Sequence, residues 1–340
     1  MGQFVNDVNS CVAEALEGLA LSSFGNLILV RDKNVILINP QKRVNFCNIA
    51  IVCGGGSGHE PAHSSFVNHE MLFAAICGDV FASPSVGAIV DGIRTLVSNG
   101  DKSPRAILLI IKNYTGDKIN FGMASELLVS EGILLRKLIV ADDVSLPKVK
   151  DRRGVAGTVL VYKIAGAFAS QQQSGDFDAQ QQLNRVYEVA EKVNDNVHSM
   201  GCALSSCHRP DGSMIFTLPV GEMEIGVGIH GERGVLRTAV KSSDEIVTIL
   251  IDKILAAKQK HDIENISNKK IVLMTNNLGS VSGLEMGVVH RKAISFLHEK
   301  GYEVSRAYCG TFMTCLDMRG ISVTLLTVVD DEFLELLDIG

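Results

Sequence analysis

Three short runs, "NIAIVC" (48–53), "AILLII" (106–111) and "KLIVA" (137–141), are apolar at nearly every position. A strand with one wet face alternates apolar and polar residues. An unbroken, β-branched run instead suits a strand covered on both faces, which means a parallel sheet with helices packed above and below it. Residues 71–77 and 124–132, lying among these runs, carry helix formers. The expected class is therefore α/β.

The stretch "SQQQSGDFDAQQQ" (170–182) has two Gln triplets around Gly175 and no apolar period, so it reads as a surface loop or linker. Beyond it, Leu183, Val186, Ala190, Val193, Val197 and Met200 recur at spacings of three and four, one face of a helix. The second half reads as strands at 213–219, 223–229, 270–275, 302–310 and 321–328, with helices over 243–258 and 283–299. These patterns predict two α/β subdomains, 1–182 and 183–340, with mixed, largely parallel sheets flanked by helices. A chain of 340 residues is long enough to bury two such cores.

Charge and cysteine usage narrow the function. With 32 Lys and Arg against 38 Asp and Glu, the net charge is −6, and no basic block stands out. That excludes nucleic acid and anionic membrane as expected partners and favours a small molecule. The longest apolar run, 106–111, is too short to span a bilayer. "MGQFVNDVNS" offers no apolar signal-peptide core. The eight cysteines form no C-x-x-C pair and sit mostly in apolar runs, so reduced thiols and a cytoplasmic location are expected.

The richest local feature is "CGGGSGHEPAH" (53–63). A nucleotide P-loop needs G-x-x-x-x-G-K-[ST], because the Lys reaches phosphate and the hydroxyl holds Mg²⁺. From Gly54 the sixth residue is His59 and no Lys follows; the dinucleotide fingerprint fails at the same position. The embedded H-E-x-x-H pattern needs both histidines on one helical face to bind zinc, and Pro61 lies between them. What survives is a strand, a glycine loop and then a helix, with His59 either projecting into a ligand site at the strand's carboxyl end or capping the helix.

"KNYTGDKINFG" (112–122) follows strand 106–111 in the same way. It would carry Lys112 and Asp117 to that crevice, unless Asp117 is a plain turn residue. "GVGIHGERG" (226–234) formally contains G-x-G-x-x-G, yet no apolar helix period follows. It is either a glycine-rich turn or a setting in which His230 has room to meet a carbonyl carbon. Imidazole is largely neutral at cell pH, as a nucleophile must be.

Together "GGGSGHEP" (54–61), "KNYTGD" (112–117) and "GVGIHGE" (226–232) resemble the substrate-binding K domain of the dihydroxyacetone kinase family. "FASPS" (81–85), "VNDVNSCVAEALEGLA" (5–20), "NNLG" (276–279) and "GISVTLL" (320–326) add to a similarity that runs over essentially the whole chain. The resemblance implies a covalent hemiaminal between His230 and the carbonyl carbon of dihydroxyacetone, with glyceraldehyde a second candidate. It implies a pocket lined by Gly56, Ser57, Gly58, His59 and Lys112, and proton handling by His59 and Asp117. It implies no metal and no cofactor on this chain. ATP and Mg²⁺ would sit on a separate, nucleotide-binding L-type domain, so that this chain is a truncated kinase and inactive alone. It further implies a homodimer. Arg233 departs from the small residue or proline common there. A dihydroxyacetone-sensing paralogue that regulates a partner and a phosphotransferase-system K subunit are the alternatives.

Overall fold

The computed structural model describes residues 3–42, 48–98, 100, 103–172, 178–261 and 269–339. Cys47 and residues 173–177 of the Gln-rich stretch lie outside the described residues. The chain forms two compact units, one of 1–140, 160–192 and 336–340, the other of 141–159 and 193–335.

The first unit contains α1 (Cys11–Ser22), β1 (Leu27–Val30), β2 (Val35–Ile38), β3 (Ile49–Ser57), β4 (Ala74–Val80), α2 (Val86–Val97), β5 (Ala106–Lys112), α3 (Thr115–Ser130) and β6 (Leu134–Val140). Its six-stranded sheet has the order β1-β2-β4-β3-β5-β6. β4, β3, β5 and β6 run parallel, and β2 joins antiparallel to β4. β3 and β5 are central and buried along nearly their whole length, as their unbroken apolar runs require. β6 is the sheet edge instead. Lys137 and Ile139 are exposed there, so the expected two-faced burial of "KLIVA" does not hold.

Residues 71–77 are not helical. From Ala74 they form β4, hydrogen-bonded between β2 and β3. Seven apolar residues without a period fit either element, and pairing on both sides decides for the strand. α4 (Gly157–Gln171) and α5 (Ala179–Asn196) follow. Leu183, Val186, Ala190 and Val193 are buried along α5, whereas Val197 and Met200 belong to the next strand.

The second unit carries β7 (Val197–Ala203), β8 (Glu222–Ile225), β9 (Leu236–Ala239), α6 (Ser243–His261), β10 (Lys270–Asn277), α7 (Gly283–Glu299), β11 (Glu303–Gly310) and β12 (Gly320–Thr327), and α8 (Glu332–Leu337) closes the chain. The sheet order is β11-β10-β12-β7-β8-β9, with β10 and β11 the parallel pair. Val247, Leu250 and Ile254 of α6 join Val289, Ala293 and Phe296 of α7 in one core with Leu273, Val323 and Leu325. Ser282 and Glu285 close a capping box at the start of α7. The strand expected at 213–219 is absent; Met214 makes an isolated bridge to His208 and is exposed.

The expected glycine loop is itself strand. β3 continues through Gly54, Gly55 and Gly56 to Ser57. A Cβ on Gly54 would stand 2.3 Å from the Ile76 carbonyl oxygen, and one on Gly56 2.7 Å from the Ala82 nitrogen. Glycine here lets neighbouring backbone approach. Gly54→Ala is expected to destabilise the protein by about 1–3 kcal/mol through overpacking against rigid backbone. A urea midpoint unchanged from the wild type would contradict that.

Candidate functional site

In the first unit the glycine strand exists to admit a buried cation. Lys112, the last residue of β5, is fully buried. Its Nζ lies 3.2 Å from the Gly54 carbonyl oxygen, 2.9 Å from His63 Nε2 and 3.8 Å from Asp117 Oδ2. A Cβ on Gly55 would come within 2.4 Å of that Nζ. Asp117 is no turn residue but sits in the first turn of α3, where the helix dipole favours a carboxylate. Its Oδ1 accepts from Ser83 Oγ.

His59 is fully buried, with its ring centroid 5.2 Å from that of Phe81. No α-helix follows it. Residues 60–63 form a turn, then a short 3-10 helix spans Ser64–Phe66, so His59 caps no helix. Phe81 has a φ of +58°, a left-handed conformation that costs a non-glycine residue about 1–2 kcal/mol. Its amide donates to the Ser57 carbonyl at 2.9 Å, which holds that turn against the end of β3. Ser57 Oγ donates to the Gly78 carbonyl at 2.7 Å, and the Gly58 amide donates to Glu60 Oε2 at 2.9 Å. The first unit thus gathers the glycine strand, His59, Lys112 and Asp117.

His63, offered by the sequence pattern as a metal ligand, is instead the acceptor for Lys112. Its Nδ1 lies 3.6 Å from Cys53 Sγ. An ammonium within hydrogen-bond reach of Nε2 takes the direction a cation would need. Among the described residues, no group of three or more His, Cys, Asp or Glu side chains is placed to hold a metal ion. Burial first, then the charges of Lys112 and His59, holds the His63 imidazole neutral well below its ordinary range.

The second unit holds His230. Its Nδ1 lies 3.0 Å from Glu232 Oε1, and its amide donates to Glu232 Oε2 at 2.9 Å. Burial alone would raise the Glu232 carboxyl. The hydrogen bond and charge of His230, together with Arg153, outweigh it and bring Glu232 to about 2. An ionised carboxylate only accepts, so Nδ1 carries a proton, and the neutral form of the ring has its lone pair on Nε2. Gly228 is required beside it, since a Cβ there would fall 2.0 Å from Glu232 Oε2. Arg153 supports the turn, donating to the Gly226 carbonyl at 2.7 Å, Ser145 Oγ at 2.8 Å and Asp143 Oδ2 at 2.7 Å.

Sequence reasoning missed Ser83, Glu232 and Arg153, and raised His63 only as a metal ligand. Ser83 and Glu232 lie inside the quoted motifs "FASPS" and "GVGIHGE" and were legible by position. Arg153 had no local signal. A separate cavity of about 280 Å³, bordered by Cys202, Ile246, Val289 and Ile321, contains none of the expected residues.

Residues 17–339 match the Dak1 domain. The chain belongs to the Dak1 domain family. It is 40% identical over 338 residues to the triokinase/FMN cyclase of Mus musculus, covering 99% of this chain and 56% of that protein. The crystal structure of the dihydroxyacetone kinase of C. freundii superposes with a TM-score of 0.84 at 36% identity, over 100% of this chain and 59% of that one. The Dak1 chain therefore spans a little over half the length of both. The dihydroxyacetone kinase operon co-activator DhaQ also superposes, with a TM-score of 0.86 at 31% identity, over 98% of this chain and 97% of that chain.

The neutral His63 has a measurable consequence. The unfolded chain takes up a proton on His63 near the ordinary value of 6.5, and the folded chain does not. This contribution to stability is complete above that value and is lost as pH falls below it. Relative to His63→Gln, the wild type should lose up to about 1.4 kcal/mol per pH unit there. Urea melts of both proteins at about pH 7.5 and about pH 5.5 measure this; parallel pH dependences would refute it.

Proposed function

We propose that this Dak1 chain is the dihydroxyacetone-binding part of a dihydroxyacetone kinase and holds the substrate covalently on His230. The observation that carries the reading is the Nδ1 contact of His230 with Glu232, which puts the lone pair on Nε2. Nε2 donates that pair to the carbonyl carbon, and the C=O π electrons move to oxygen, which takes up one proton. The ring becomes cationic, with the proton still on Nδ1 and hydrogen-bonded to Glu232, whose ionised carboxylate stabilises it. Proton handling is the role that the family resemblance implies for His59 and Asp117. Covalent capture distinguishes a ketone from glycerol, which offers no carbonyl carbon to attack.

Turnover needs a phosphoryl donor and Mg²⁺ in line with the accepting hydroxyl. The glycine strand has neither the Lys nor the hydroxyl of a P-loop, so both are assigned to a separate nucleotide-binding domain. The presence of His59 and Asp117 beside the glycine strand supports the kinase reading over a pure sensor, which needs no proton-handling pair.

Dihydroxyacetone carrying an isotope label at the carbonyl carbon tests the capture step by carbon NMR. The expected result is a protein-bound hemiaminal signal that is absent with His230→Ala. Glu232→Ala should weaken the adduct by about 10–100-fold, the worth of one charged hydrogen bond. A signal that survives His230→Ala would end this reading.

The second half of the experiment adds ATP·Mg²⁺ and a separately made nucleotide-binding domain. Dihydroxyacetone phosphate should form with that domain and not without it. Asp117→Asn should slow formation by about 10²–10⁴-fold. Because Asp117 also balances Lys112, a thermal melt of the variant must accompany the rate. Product formation by the chain alone would overturn the division of labour.

A further inference from the structure

Two buried thiols behind the His230 turn have no part in that chemistry. Cys207 lies in the segment after β7, and Cys315 in the loop between β11 and β12. Both are fully buried, and their sulfurs are 3.4 Å apart, with Cys315 donating to Cys207. The two segments are laced together beside the pair. Asp317 accepts from the His208 amide at 2.6 Å and contacts His208 Nδ1 at 2.8 Å. The Cys315 amide donates to the Leu278 carbonyl at 2.8 Å, and the Met318 amide to the Cys315 carbonyl at 3.0 Å. The sulfurs need approach by only about 1.4 Å to reach disulfide bonding distance.

We propose that Cys207 and Cys315 form a redox-active dithiol that a small peroxide converts to a disulfide, and that closure shifts the His230 turn. The link to that turn runs through Ile215. The Ser206 hydroxyl, one residue before Cys207, accepts from the Phe216 amide at 3.2 Å. The position a Cβ would take on Gly231, next to His230, is 2.9 Å from Ile215. Drawing Cys207 toward Cys315 therefore pulls on the 215–216 segment, which bears on the residue adjoining His230.

The thiols divide the work. The hydrogen bond from Cys315 lowers the Cys207 thiol, against burial and Asp317 and with help from Arg209. The same hydrogen bond, then burial, raises Cys315. Cys207 is thus the attacking thiolate. It displaces one peroxide oxygen, which leaves as water after protonation, and keeps the other as a sulfenic acid. Cys315 sulfur then attacks the Cys207 sulfur, loses its proton and expels the second oxygen as water. Two thiols lose two electrons, and one peroxide becomes two waters. Complete burial favours an oxidant of water's size over a bulky disulfide.

The competing thiols make the proposal falsifiable. Cys309 is exposed and Cys11 half-buried, so exposure alone would select them. Burial pushes Cys53, Cys77 and Cys202 up to about 12, so these should resist. The whole chain is treated with hydrogen peroxide, quenched, alkylated after denaturation and mapped by peptide mass spectrometry. The expected product is a Cys207–Cys315 cross-link, formed at least about tenfold faster than oxidation of Cys53, Cys77 or Cys202. Cross-linking should be abolished in Cys207→Ser and in Cys315→Ala. Oxidation confined to Cys11 and Cys309, with both buried thiols alkylated, would overturn the proposal.

The coupling is read without substrate, from the NMR signals of the His230 ring. These should shift on oxidation of the wild type and stay fixed in Cys207→Ser. A cross-linked protein with unmoved His230 signals would refute the coupling. Neither readout depends on dihydroxyacetone, so a failure here is separate from a failure of the function proposed above. Direct mapping of the wild type keeps the test valid should a cysteine variant fold poorly.

Discussion

A wholly buried ammonium organises the first unit. Removing a charge from water costs several kcal/mol, and the surroundings must return most of it. Lys112 recovers it from three directions, a backbone carbonyl on β3, a neutral imidazole and a carboxylate at the start of α3. Each direction imposes a local rule. The ammonium needs space beside the strand, so β3 carries glycine at 55, where a Cβ would fall 2.4 Å from Nζ. The imidazole must present a lone pair, so His63 cannot be protonated. The carboxylate must sit where backbone amides also favour it, so Asp117 falls in the first turn of α3. Breaking a buried pair of this kind by removing one partner costs about 3–5 kcal/mol. Lys112 and Asp117 therefore form one structural unit before either meets a ligand.

The second unit solves a related problem for a nucleophile. An imidazole has two equivalent-looking nitrogens, and attack needs the proton kept on the far one. Glu232 does this with one oxygen on Nδ1 and the other on the His230 amide, fixing ring and backbone together. Such a fold-back over two residues needs Gly228, where any side chain would meet the carboxylate. Arg153 holds the turn through the Gly226 carbonyl and is itself held by Asp143 and Ser145. Each member limits the freedom of the next, so orientation at His230 rests on residues up to 87 positions away, as the numbering of Asp143 and His230 gives.

Much of this was legible in the sequence, and the failures have physical causes. Central strands β3 and β5 and helices α6 and α7 announced themselves by unbroken or periodic apolar residues. β4 did not, because "LFAAIC" has no period and its helix formers are overruled by pairing on both sides. The glycine-rich stretch looked like a loop because glycine weakens strands in general. Here it continues β3, since only a residue without Cβ passes Ile76 and Lys112. His59, Asp117 and His230 could be singled out because each is a reactive residue beside glycine, and Lys112 because it ends an apolar strand. Arg153 could not, because its partners are far off in sequence.

The H-E-x-x-H spelling shows why a pattern needs its structural context. On a helix, positions four apart share a face, and two imidazoles converge on one cation. In the turn after β3 the same letters separate. His59 packs against Phe81, while His63 turns to Cys53 and Lys112. The amino-acid types suit a metal site, yet the backbone sends them to different tasks. One histidine is spent on keeping a lysine buried, and that lysine in turn requires Gly55 in the stretch that drew attention.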